Sequence, residues 1–91
     1  MNKIIKILIV DDQELFREGL FTLLNIQSDF KVIGQAKNGE DALLQITMLD
    51  PDIILLDLRM PVMDGVECTK RINSQFPNVK VIVLTTFDED E

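Results

Sequence analysis

The run Ile53-Ile-Leu-Leu-Asp-Leu-Arg-Met-Pro-Val-Met-Asp-Gly65 decides the fold. Four apolar residues lead into Asp57, and two turn signals follow, Met60-Pro61 and Asp64-Gly65. An unbroken apolar run of strand length reads as a strand buried on both faces. Asp50-Pro51-Asp52 breaks the chain just before it. Asp57 therefore ends a central parallel strand, and in open α/β sheets ligands and chemistry collect at that end. Taken alone, a strand-end Asp can equally do no more than begin a turn.

Upstream, Ile4-Ile-Lys-Ile-Leu-Ile-Val10 is a β-branched run and reads as a first strand, ended by Asp11-Asp12. From Gln13 the apolar period becomes helical, with Phe16, Leu20, Leu23 and Leu24 inward and Leu15 on the flank. Asp12 suits the N-cap of this helix, Glu14 suits its positive end, and Ser28-Asp29 closes it. Phe30 to Ala36 is a second, more polar strand of the kind found at a sheet edge, and Asn38-Gly39 marks a turn. Glu40 to Leu49 is a second helix with Ala42, Leu43, Ile46 and Leu49 on one face. Downstream, Gly65 to Gln75 is a third helix with Val66, Thr69 and Ile72 inward, ended by Phe76-Pro77. Cys68 lies on it as a packing residue. Val79 to Thr85 is a fourth strand, followed by Thr86-Phe87 and the acidic Asp88-Glu-Asp-Glu91, which reads as the start of a further helix. Strands alternating with helices imply α/β architecture: one open parallel sheet with right-handed crossovers.

Composition narrows the chemistry. The 91 residues fit one domain. A net charge of −7 argues against nonspecific nucleic-acid binding by this segment. The absence of His removes imidazole catalysis and triads that contain it. A single Cys forms no internal disulfide, which fits a reducing compartment. No apolar run has the length of a membrane span, and no signal-peptide pattern precedes the first strand. The expected location is the cytoplasm, without membrane association.

A parallel sheet brings the carboxyl ends of strands 1, 3 and 4 to one edge, and with them Asp11, Asp12, Asp57 and Thr85. Two unit charges about 4 Å apart repel by about 4 kcal/mol at an effective dielectric of 20, so three carboxylates need a raised pKa or a bound cation. An all-oxygen donor set fits Mg²⁺, or Mn²⁺, which keeps exchangeable waters. Asp57 could then act as a nucleophile toward phosphorus, forming an aspartyl phosphate, with the Thr85 hydroxyl donating to a phosphoryl oxygen. Each residue also has a plain role: Asp12 as a cap, Asp64 as a cap or turn residue, Thr85 as a strand residue, Arg59 as a solvated charge. The combination carries the specificity.

Ile9-Val-Asp-Asp12, Leu55-Leu-Asp-Leu-Arg-Met-Pro-Val-Met-Asp-Gly65 and Val83-Leu-Thr-Thr86 closely resemble the receiver domain of two-component response regulators. Asp11-Asp-Gln13, Arg17-Glu-Gly-Leu20 and Leu84-Thr-Thr-Phe87 resemble the NarL/FixJ-type subgroup, whose members join a receiver to a LuxR-type DNA-binding output domain. The resemblance runs along the whole chain. It implies a flavodoxin-like (CheY-like) receiver fold in which Asp57 accepts phosphate from a partner sensor histidine kinase. It implies Mg²⁺ held by Asp11, Asp12, Asp57 and the main-chain carbonyl of Arg59, with Thr85 as the switch hydroxyl. Arg59 and Phe87 resemble positions that tune phosphoryl lifetime, and Thr86 flanks access to the phosphoryl group. Such a chain is a phosphoacceptor switch and not a turnover enzyme, and it reaches DNA only through an output domain outside these residues.

Two departures from the family pattern bear on activity. Gln13 stands where the subgroup often has His, with little consequence. Against the family's five strands and five helices, residues 1–91 read as the N-terminal portion of a receiver, lacking helix 4, strand 5 and helix 5. The strand-5 Lys that pairs with the phosphoryl group has no substitute, since the last Lys is Lys80. Phosphorylation is accordingly expected to be weaker than in a longer form. An apolar fourth strand at the sheet edge suggests a homodimer or a segment swap. Two rival functions are an Mg²⁺-dependent phosphohydrolase of the haloacid dehalogenase type and an interaction module with a vestigial acidic pocket. The first needs an Asp two residues beyond the nucleophile, where this chain has Arg59.

Overall fold

The apolar runs and helical periods fold as β1 (Ile5–Val10), α1 (Glu14–Ile26), β2 (Phe30–Ala36), α2 (Gly39–Leu49), β3 (Ile53–Asp57), α3 (Gly65–Gln75) and β4 (Lys80–Leu84). The computed structural model describes residues 3–57, 63 and 65–84. Arg59, Thr85, Thr86, Phe87, the Met60-Pro61 turn, Asp64 and the acidic end fall outside the described residues, and so do the readings placed on them.

The four strands form one parallel sheet in the order β2-β1-β3-β4. β2 is an edge, as its polar content implied, and β3 lies between β1 and β4. From β1 the chain steps to one side, to β2, and then returns past β1 to β3. With right-handed crossovers that reversal puts α1 on one face of the sheet and both α2 and α3 on the other. Two apolar clusters follow. Leu8, Val10, Ile54 and Leu56 pack with Ala42 and Ile46 of α2 and with Cys68 and Ile72 of α3. Ile7, Ile9 and Val32 pack with Leu20 and Leu24 of α1, and with Ile53 and Leu55. β3 is thus fully buried on one face only, because Ile53 and Leu55 are half-buried.

Several helix phases differ from the sequence reading. No α1 residue is fully buried. Leu20 and Leu24 face the sheet, but Phe16 and Leu23 are exposed. In α3 the buried positions are Gly65, Cys68 and Ile72, while Val66 is exposed. Thr69 is half-buried and donates to the Gly65 carbonyl at 2.7 Å. Cys68 is a core residue, and burial pushes its thiol pKa up, which suits packing and opposes reactivity.

The β1–β2 register shifts between Ile7 and Leu8, leaving Ile33 as an extra residue on β2. Gly34 follows it. A Cβ there would stand 2.6 Å from Gln45 Oε1 and 2.8 Å from Leu49 Cδ1, so Gly34 allows α2 to lie close on the bulged strand. Asn38 caps α2, its side-chain oxygen accepting the Asp41 N–H at 2.8 Å. Asp50 ends α2 in the left-handed region at φ 54°, immediately before Pro51.

Candidate functional site

The register builds the site. Val10 pairs with Leu56, so Asp11 and Asp57 are the next residues on neighbouring strands. Both continue the two-residue alternation of Ile9 and Leu55. They emerge between β1 and β3, where the connections diverge to opposite sides, and this is the crevice in which open α/β sheets bind ligands. Asp11 is 3% exposed and Asp57 is 7% exposed; they are the only buried charged side chains among the described residues. Asp12 is exposed at the rim.

Carboxylate oxygens of Asp11, Asp12 and Asp57 lie within 4.8 Å of one another. Burial raises the Asp11 pKa, and the charges of Asp57 and Asp12 push the same way. The Gln13 N–H and the Arg17 guanidinium oppose them. A buried carboxyl facing two others is the arrangement that a hard divalent cation relieves. Two buried carboxylates beside an exposed one at the rim form an all-oxygen set that suits Mg²⁺ or Mn²⁺, which take carboxylates and keep exchangeable waters. The donor set therefore fits the expected cation.

The β1–α1 turn is tied down at several points. The Asp11 N–H donates to the Ala36 carbonyl at 3.0 Å, which carries the β1–β2 ladder one step past the strand. Asp11 Oδ1 accepts the Gln13 N–H at 2.8 Å. This Asx-type turn corrects the expectation for Asp12. The residue before α1 is Gln13, which makes no side-chain cap bond, and Asp12 is left to face the cluster. Asp11 takes the turn because its side chain lies two residues before the Gln13 N–H, which points back toward it at the head of α1. Reading the sequence placed Arg17 only within the stretch that resembles the subgroup and gave it no role at the site. From one turn into α1, its Nη1 donates to the Asp11 carbonyl at 2.6 Å and its Nε to Gln35 Oε1 at 3.3 Å. The sequence does not show which acceptors an Arg early in a helix reaches, since Asp11 and Gln35 meet it only in the fold.

Of the expected site residues, the structure brings Asp11, Asp12 and Asp57 together, while Thr85 and Arg59 lie outside the described residues. The profile of the response regulator receiver domain matches residues 7–91. Among curated relatives, the transcriptional regulatory protein LnrK of Bacillus subtilis is 52% identical over 85 residues, covering 93% of this chain and 39% of the relative. The response regulator protein VraR of Staphylococcus aureus is 46% identical over 87 residues, covering 96% and 42%. The chain thus spans about two fifths of the length of these relatives. Among solved structures, the receiver domain of a NarL response regulator from Mycobacterium tuberculosis superposes with a TM-score of 0.85 at 33% identity, covering 94% of this chain and 69% of the other. A LuxR-family DNA-binding response regulator from Staphylococcus aureus gives 0.85 at 33%, covering 93% and 71%. With the family profile matched over residues 7–91 and relatives 46–52% identical along nearly the whole chain, this chain belongs to the response regulator receiver domain family.

Proposed function

We propose that this chain is a phosphoacceptor: Asp57 receives a phosphoryl group from a sensor histidine kinase in the cytoplasm, and in the whole protein this controls a DNA-binding output domain. The observation that carries the reading is the convergence of Asp11, Asp12 and Asp57 within 4.8 Å at the carboxyl ends of β1 and β3. A carboxylate oxygen of Asp57 attacks phosphorus; a new P–O bond forms, and the bond to the donor histidine nitrogen breaks, with that imidazole leaving. Asp11 and Asp12, with Asp57 itself and the main-chain carbonyl of Arg59, would hold Mg²⁺. When bound, that ion supplies positive charge beside the transferring phosphoryl oxygens. Thr85 donates its hydroxyl to a phosphoryl oxygen. The near-complete burial of Asp57 limits the water that reaches the acyl phosphate.

Phosphotransfer from an autophosphorylated histidine kinase tests this. Label should move to the chain in Mg²⁺, stop with a chelator, and fail to reach Asp57→Ala. Equal labelling of Asp57→Ala would remove Asp57 from the role.

A further inference from the structure

We propose that Arg17 is a positioning residue for the acidic cluster: its guanidinium ties the main-chain carbonyl of Asp11 to the side chain of Gln35 on β2, and so holds the β1–α1 turn with Asp11 and Asp12 facing Asp57. The proposal rests on the cation-binding reading above and deepens it.

Three bonds fix Asp11. Its N–H goes to Ala36 and its Oδ1 to the Gln13 N–H. These are the local bonds of a strand end and a turn. The third, from Arg17 Nη1 at 2.6 Å, is a charge-assisted bond reaching back from the helix. Arg17 is itself held, because its Nε donates to Gln35 Oε1 at 3.3 Å. Gln35 is anchored in turn, its carbonyl accepting Gln45 Nε2 of α2 at 2.8 Å. Hydrogen bonds thus run from α1 through the Asp11 carbonyl and β2 to α2. The half-buried Arg17 guanidinium spans two acceptors on two strands' ends, a task for a planar fork and not for a point charge.

Position and charge make opposite demands here. Arg17 is a cation beside a cluster read as binding a cation, and it already eases the ionisation of Asp11. If its charge were what mattered, removing it would tighten divalent-ion binding. If its two bonds matter, removing it lets the turn relax and weakens binding. Outer groups that orient metal ligands typically account for 10–100-fold in affinity.

The test is a calorimetric Mn²⁺ titration of the unchanged chain, Arg17→Ala, Arg17→Lys and Gln35→Ala, with apo melting curves by circular dichroism. Arg17→Ala is expected to weaken Mn²⁺ binding about tenfold. Arg17→Lys should also weaken it, because an ammonium keeps the charge without the fork, and Gln35→Ala should move the same way by a smaller factor. Equal or tighter binding by Arg17→Ala overturns the proposal, as does full affinity in Arg17→Lys. If Arg17→Ala does not fold, unchanged affinity in Gln35→Ala overturns it instead. Failure of the unchanged chain to bind Mn²⁺ would defeat the cation reading, and the positioning role with it.

Discussion

Asp11 carries a conflict between folding and function. Its pKa stands above the ordinary 3.8, chiefly through burial. Because the folded state holds this proton more tightly than the unfolded chain, its contribution to stability is full below 3.8. That contribution is lost as pH rises through the folded value. At neutral pH the apo chain therefore keeps a buried carboxylate at a cost. Asp11→Asn retains an oxygen for the Gln13 N–H and removes the charge. Its melting temperature without divalent ions should rise at neutral pH. The gain should shrink in acid, and cation affinity should fall sharply. Melting curves across pH, with and without Mg²⁺, check all three effects; a destabilised Asp11→Asn at neutral pH would show that the carboxylate is not strained. Asp11 and Asp57 were legible in the sequence because each ends an apolar strand run. The division of labour between Asp11 and Asp12 was not, because either aspartate lies close enough to serve the turn, and only backbone geometry chooses.

Among the elements, strand identities followed from composition, and helix phase did not always. α1 carries apolar residues on two arcs: Leu20 and Leu24 face the sheet, while Leu15, Leu23 and Ile26 are exposed. Periodicity alone does not say which arc meets the sheet. In α3 the buried set turns on Gly65 and Cys68, small residues that let the helix lie close and that a hydropathy pattern underweights. Gly34 shows the same close approach on β2. Replacing it with Ala should destabilise the fold by about 1 kcal/mol, since overpacking costs about 1–3 kcal/mol and loss of chain entropy returns about 0.4–1. The new methyl group displaces Gln45, which holds the Gln35 carbonyl, and Leu49. Denaturant titration of Gly34→Ala checks this; unchanged or raised stability would mean that α2 shifts away freely.

At the scale of the molecule, the strand order makes the site. The reversal of direction after β2 opens the crevice between β1 and β3, and the parallel register delivers Asp11 and Asp57 to it side by side. A parallel sheet was legible from strand–helix alternation; the neighbour order rested on the family resemblance, because local pattern does not encode which strands pair. Three carboxylates in one crevice imply that a bound cation stabilises the fold by mass action. Mg²⁺ at 100 times its Kd should add about 2.7 kcal/mol, or roughly 10–20 °C in melting temperature. Asp57→Ala and Asp12→Ala should lose most of that shift, and an equal shift in all three proteins would place the ion elsewhere.

The most direct test of the phosphoacceptor reading is intact-mass spectrometry of the chain after incubation with acetyl phosphate and Mg²⁺, beside Asp57→Ala. The expected result is one phosphoryl adduct that needs Mg²⁺ and is absent from Asp57→Ala. A folded chain that gains no adduct, or an adduct that persists in Asp57→Ala, would contradict it.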